Sequence, residues 1–228
     1  ALGLSDSTRV VYSSDHGECL GARGLFGKFT MYDEAAAVPL IAAGPDVPEG
    51  HVVKTPVSLI DVFPTALECV GANTAEVELP GRSLWQTANE SDTERTVLSE
   101  YHALGTEHAC FMLRRRRYKY AYYVGAPPQL FDIEEDPDEL NDLSTAPAHR
   151  TLVVDFEREL RSILDPEAVD AQAWLSAVEE KKPCELRAHL TTPRRRASKR
   201  NFARTPDAGQ TSCEPGMRFH SVGSQPPS

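Results

Sequence analysis

Asp15 and His16 adjoin within Ser-Ser-Asp-His-Gly-Glu at 13–18, and Lys28 closes Gly-Leu-Phe-Gly-Lys at 24–28. A carboxylate offers a hard oxygen and an imidazole offers a nitrogen, so the first pair could hold a divalent cation. Gly17 lets the backbone turn sharply past that pair. Lys28 carries a compact ammonium in a glycine-bracketed loop, and folded back it could face an anionic group held by the cation. The set fits chemistry in which charge on a transferring group is neutralised and a leaving oxygen is stabilised. A lone Asp-His dipeptide or a lone loop lysine is ordinarily only solvated. Specificity comes from the series: strand, Asp-His-Gly-Glu, Gly-x-x-Gly-Lys, then an apolar strand.

For this chemistry the pair must sit at the end of a strand, where open α/β sheets place ligands. Thr-Arg-Val-Val-Tyr-Ser-Ser at 8–14 reads as a buried strand that delivers Asp15. Residues 17–32 read as a loop, and Val-Pro-Leu-Ile-Ala-Ala-Gly at 38–44 reads as a second strand. An apolar period through Val57, Ile60, Val62, Phe63, Leu67 and Val70, ended by Gly71, predicts a helix. Strand, strand and helix with strongly apolar strands indicate an α/β layer architecture.

Beyond Leu-Pro-Gly-Arg-Ser-Leu at 79–84 the pattern changes to strands at 96–101, 110–114, 118–124 and 129–132. The middle two flank an arginine run and read as an antiparallel pair, with Arg114–Arg117 as a solvated hairpin turn. The acidic run Glu134–Glu139 lacks the spacing of an EF-hand and also reads as a solvated turn. Leu152, Val153, Phe156, Leu160 and Ile163 predict a helix within 147–164, and Pro166 opens a second one reaching to about 180. The expected division is 1–90 for the α/β part and 91–182 for a small α+β subdomain. Residues 183–228 form a basic tail that cannot build a core and is expected to be disordered.

The 228 residues carry a net charge of −10, with the basic residues concentrated after Lys181. The acidic body argues against nucleic acid as the main partner. No apolar run approaches the roughly 20 residues needed to cross a bilayer, so no membrane role is expected. Cys19, Cys69, Cys110, Cys184 and Cys213 form neither a disulfide framework nor a zinc motif. Thiols in a reducing compartment are the plain reading, which points to the cytoplasm. A homo-oligomer is left open.

At this point the sequence resembles a known family. Residues 13–28, then Tyr-Asp-Glu at 32–34 and Val-Pro-Leu-Ile at 38–41, look like the carboxy-terminal half of the sulfatase family, within the alkaline-phosphatase-like superfamily. The likeness continues through 59–71, 79–84, Ser-Glu-Tyr-His at 99–102, Arg-Tyr-Lys-Tyr at 117–120 and 129–143. It implies the carboxy-terminal part of an α/β/α sheet domain, followed by an antiparallel β subdomain with helix. It also implies that Asp15 and His16 ligate a divalent cation, calcium, magnesium or manganese, and that Lys28 contacts the sulfate or phosphate group. His102, at a strand end, would border the substrate pocket. His after the Asp resembles phosphonate monoester hydrolases and choline-sulfatase-like members. The implied partner is a small-molecule sulfate or phosphonate ester.

The departure from that pattern is large. The family's nucleophile is a formylglycine made within Cys/Ser-x-Pro-x-Arg, and these residues contain no such segment. Cys213-Glu214-Pro215-Gly216-Met217-Arg218 comes near, but its Arg falls one position late. The expectation is therefore a fragment that supplies metal- and anion-binding residues and does not catalyse alone. Two other readings compete with it. One is a non-catalytic truncated remnant; the other is a binding protein working through Arg-Arg-Arg-Ala-Ser-Lys-Arg at 194–200.

Overall fold

A computed structural model describes residues 3–72, 78–90, 94–103 and 106–176. The expected tail at 183–228, and the helix end beyond 176, lie outside the described residues. Strand β1 (Val10–Ser13) pairs antiparallel with β2 (Leu40–Ala43), Val10 opposite Ala43 and Ser13 opposite Leu40. Val10, Val11, Tyr12 and Ile41 are β-branched or aromatic residues that suit a strand. The segment between them makes a 3-10 turn at Ala22–Gly24 and one turn of helix, α1 (Asp33–Ala36). The sequence pattern gave no sign of α1, because four residues are too few to show a helical period.

Helix α2 (Val62–Cys69) follows a 3-10 turn at Leu59–Asp61. Ser58 and Asp61 start that turn by capping each other, with Ser58 N donating to Asp61 Oδ2 at 2.8 Å, and α2 continues from it. Asp61 is fully buried and also takes Arg95 Nη2 at 2.7 Å, which ties this helix start to the approach to β3. Helix α3 (Leu84–Asn89) starts at Ser83, whose Oγ accepts from Trp85 N at 3.2 Å.

A four-stranded antiparallel sheet follows in the order β3 (Thr96–Tyr101), β4 (Cys110–Arg115), β5 (Tyr118–Tyr123), β6 (Gln129–Asp132). Alternation gives it two apolar faces. On one, Phe111, Leu113, Tyr120 and Leu130 pack beneath Phe156 and Leu160 of α4 (Arg150–Ile163). On the other, Cys110, Met112 and Ala121 pack against Met31, from the segment between β1 and β2. The β3–β6 sheet is therefore a middle layer, with α4 on one side and the Lys28-bearing segment on the other. Helix also runs from residue 166 to the end of the described residues at 176.

Three expectations need correction. Strand β1 was expected to be buried, yet Val10 is 58% and Tyr12 62% exposed. A two-stranded ribbon can cover its side chains only where another layer lies over it. The arginine run is less solvated than expected. Its turn falls at Arg116 and Arg117, while Arg115 pairs with Glu159 at 2.6 Å and Arg117 with Asp132 at 2.7 Å. Nor is the acidic run wholly solvated, because Glu139 at its end is buried against Lys119.

Candidate cation and anion site

Strand β1 ends at Ser13 and delivers Asp15 and His16 at its carboxyl end. His16 N donates to Asp15 Oδ1 at 3.0 Å, while Asp15 Oδ2 lies 3.3 Å from His16 Nε2. The Nδ1 of His16 faces the carbonyl of Gly17 at 2.7 Å, and a carbonyl can only accept. Nδ1 therefore donates to that carbonyl, and Nε2 faces both the Asp15 carboxylate and the Lys28 ammonium. The Asp15 carboxylate and, from twelve residues along the chain, the Lys28 ammonium thus meet at one ring nitrogen of His16.

Hydrogen bonds within the loop explain how Lys28 returns. Gly27 N donates to Glu18 Oε1 at 2.5 Å, and Cys19 N donates to Gly27 O at 3.0 Å. Gly21 N donates to Leu25 O at 2.8 Å, closing the tip of the loop. The chain runs out and back, so residue 28 lies beside residue 16. Gly17 is required for a different reason from the one its sequence position suggested. A Cβ there would lie 2.1 Å from the carbonyl oxygen of Glu34, and Gly17 N donates to Ala35 O at 2.8 Å. The strand end rests directly on α1.

The charges reinforce one another. Burial acts to raise the Asp15 carboxyl and is the largest single influence on it. His16, backbone N–H donors and Lys28 together outweigh burial and hold Asp15 below the ordinary carboxylate range. His102 lies exposed just past the end of β3. Its neighbour Tyr101 meets Phe29, with ring centroids 6.0 Å apart, so the chain positions next to Lys28 and His102 touch. Among the described residues, no hydrogen bond or ion pair joins His102 itself to Asp15, His16 or Lys28.

Sequence reasoning missed the residues behind the site. Lys119 Nζ lies 2.5 Å from Asp33 Oδ1 and 2.6 Å from Glu139 Oε1. Arg23 stacks over the Tyr32 ring at 4.0 Å and donates to the carbonyls of Asp138 and Glu139. The one signal in the sequence was a lysine among tyrosines at strand spacing, and it needs tertiary partners to acquire meaning.

Comparison with known proteins places the chain. Residues 21–167 match the family described as N-sulphoglucosamine sulphohydrolase, C-terminal. The chain belongs to this sulfatase family, and its fold is the carboxy-terminal portion of an alkaline-phosphatase-like α/β protein. Among its relatives, arylsulfatase K of Bos taurus is 36% identical over 182 residues, covering 75% of this chain and 33% of that protein. Choline-sulfatase of Rhizobium meliloti (strain 1021) is 36% identical over 174 residues, covering 74% and 34%. The crystal structure of phosphonate monoester hydrolase of Agrobacterium radiobacter superimposes with a TM-score of 0.59 at 25% identity, covering 71% and 36%. The chain spans about a third of the length of the curated relatives it matches.

Proposed function

We propose that this chain contributes the cation- and anion-binding half of a sulfuric ester hydrolase. The observation that supports the reading best is the convergence of Asp15 and Lys28 on Nε2 of His16. Asp15 and His16 would hold a divalent cation, calcium, magnesium or manganese. The donor set fits: a carboxylate kept ionised, and a ring nitrogen oriented by the bond its other nitrogen makes. Such cations take about six or more ligands, and among the described residues no group of three or more His, Cys, Asp or Glu could hold one. Further ligands and the nucleophile, a formylglycine in this family, would come from other parts of the enzyme.

When bound, the cation neutralises charge on the group being transferred. Lys28 donates to an ester oxygen and stabilises the leaving oxygen as its bond breaks. Asp15 orients His16 through its 3.0 Å bond with the His16 amide. His102 and the Phe29–Tyr101 pair would border the organic part of the substrate. A small-molecule sulfate ester is the favoured substrate, with a phosphonate ester as the second possibility; both sulfatases and a phosphonate hydrolase resemble the chain.

The test has two arms. Manganese added to the chain labelled with 15N-histidine should broaden the His16 signals, and Asp15→Ala should abolish the broadening. The protein expressed from its whole reading frame should hydrolyse aryl or choline sulfate, with Lys28→Ala lowering kcat by about 10²–10³-fold. Unbroadened His16 signals together with unchanged turnover in Lys28→Ala would remove the basis of the reading.

A further inference from the structure

A cluster of buried charges lies behind the site. Lys119 is 1% exposed and Glu139 2%, and both meet Asp33. Removing charges from water costs several kcal/mol per ion, roughly, and an apolar cluster of the same volume is often as stable. Stability alone therefore gives little reason for a lysine on this face of β5, where its neighbour Ala121 packs in an apolar cluster.

The geometry points to Lys119 as a positioning residue for the cation and anion site, acting through α1 on His16. The inference rests on the proposed function, because it assigns a role at that same site. Lys119 grips Asp33, the first residue of α1, while Asp33 N donates to Glu139 Oε2 at 2.7 Å. Two residues along, Ala35 O accepts from Gly17 N, and Gly17 O in turn accepts from Nδ1 of His16. The path runs from ammonium to carboxylate, through one helical turn to the Gly17 amide, and ends at the imidazole. Arg23 adds a second tie to the same segment, reaching Glu34 at 3.4 Å and donating to the carbonyls of Asp138 and Glu139. Because α1 is a single turn with no side-chain cap of its own, its orientation depends on these outside partners.

The test uses the full 228-residue chain, labelled with 15N, and reads two local signals: hydrogen exchange at the Gly17 amide and the His16 ring nitrogen shifts. In Lys119→Met the Gly17 amide should exchange about tenfold faster or more, and the His16 ring signals should move, while amides of Leu113 and Tyr120 stay protected. Glu139→Gln keeps the Lys119–Asp33 pair and should change both local signals less. Lys119→Arg, which keeps the charge, should restore part of the Gly17 protection. If Gly17 and His16 are unmoved in Lys119→Met, the assignment is overturned. Should Lys119→Met unfold the sheet, the outcome rests on Glu139→Gln and Lys119→Arg: local change at Gly17 with β4 and β5 intact supports the role, and uniform loss or no change overturns it. None of these signals requires bound metal or turnover, so they remain readable if the hydrolase reading fails.

Discussion

Tyr120 of β5 and Phe156 of α4 stack with ring centroids 5.6 Å apart and planes 6° from parallel. Arg115 lies over the same Phe156 ring at 4.5 Å and pairs with Glu159 one turn further along the helix. These contacts fasten α4 to the sheet, and Phe156 is fully buried. Phe156→Ala should destabilise the chain by about 3–5 kcal/mol, through lost apolar transfer plus the cavity left behind. Phe156→Leu should cost less, since much of the volume is kept. Urea unfolding followed by tyrosine fluorescence would measure both, and a cost under about 1 kcal/mol for the alanine variant would show that α4 does not depend on this stack.

Gly17→Ala tests the seating of the site on α1. The new methyl group would lie 2.1 Å from the Glu34 carbonyl oxygen, so either His16 or α1 must move. We expect about 1–3 kcal/mol of destabilisation together with altered His16 ring signals. Unchanged signals would mean that the loop absorbs the shift without passing it to His16.

Glu167 gives a pH dependence of definite sign. It accepts from Arg161 Nη1 at 2.8 Å and from the Tyr122 hydroxyl at 2.5 Å, and these bonds pull its carboxyl down to about 2. A carboxyl depressed in the folded chain stabilises it above the ordinary unfolded value of 4.5, and that contribution disappears as pH falls toward 2. The stability gap between the natural chain and Glu167→Gln should therefore be constant near neutral pH and shrink between about pH 4.5 and 2. Chemical denaturation at a series of pH values would show it. A gap that does not narrow over that interval would dismiss the ion pair as its source. Glu167 is half exposed, so the gap should also fall with added salt.

The thiols should separate by environment. Burial pushes Cys110 up to about 11, and burial likewise raises Cys19. Cys69 is exposed and receives the indole N–H of Trp85 at 3.1 Å. Iodoacetamide at pH 8 should label Cys69 in the native chain and leave Cys19 and Cys110 untouched, whereas denaturant should expose all three. Mass mapping of the digested protein reads each position separately. Native labelling of Cys110 as fast as Cys69 would contradict the packing of β4 against Met31.

Much of this protein was legible in its residues alone. Asp15, His16 and Lys28 stood out through residue type and order, and the strands and α4 stood out through local apolar periods, which neighbouring residues are enough to create. The helical pair α1 and α3 was not legible, because four and six residues carry too little period and depend on caps and contacts. The meeting of Lys28 with His16 needed the loop bonds from Glu18 and Cys19 to Gly27. Lys119 was the furthest from view. In the sequence it is one polar residue in Tyr-Lys-Tyr-Ala-Tyr-Tyr, a pattern that fits any sheet with one wet face. Its partner Asp33 lies 86 residues away, and Glu139 arrives on a left-handed turn at the end of an acidic run. Periodicity is set by near neighbours and so belongs to the sequence. Which buried charge meets which is settled by chain segments brought together over long separations, and only the tertiary structure decides it.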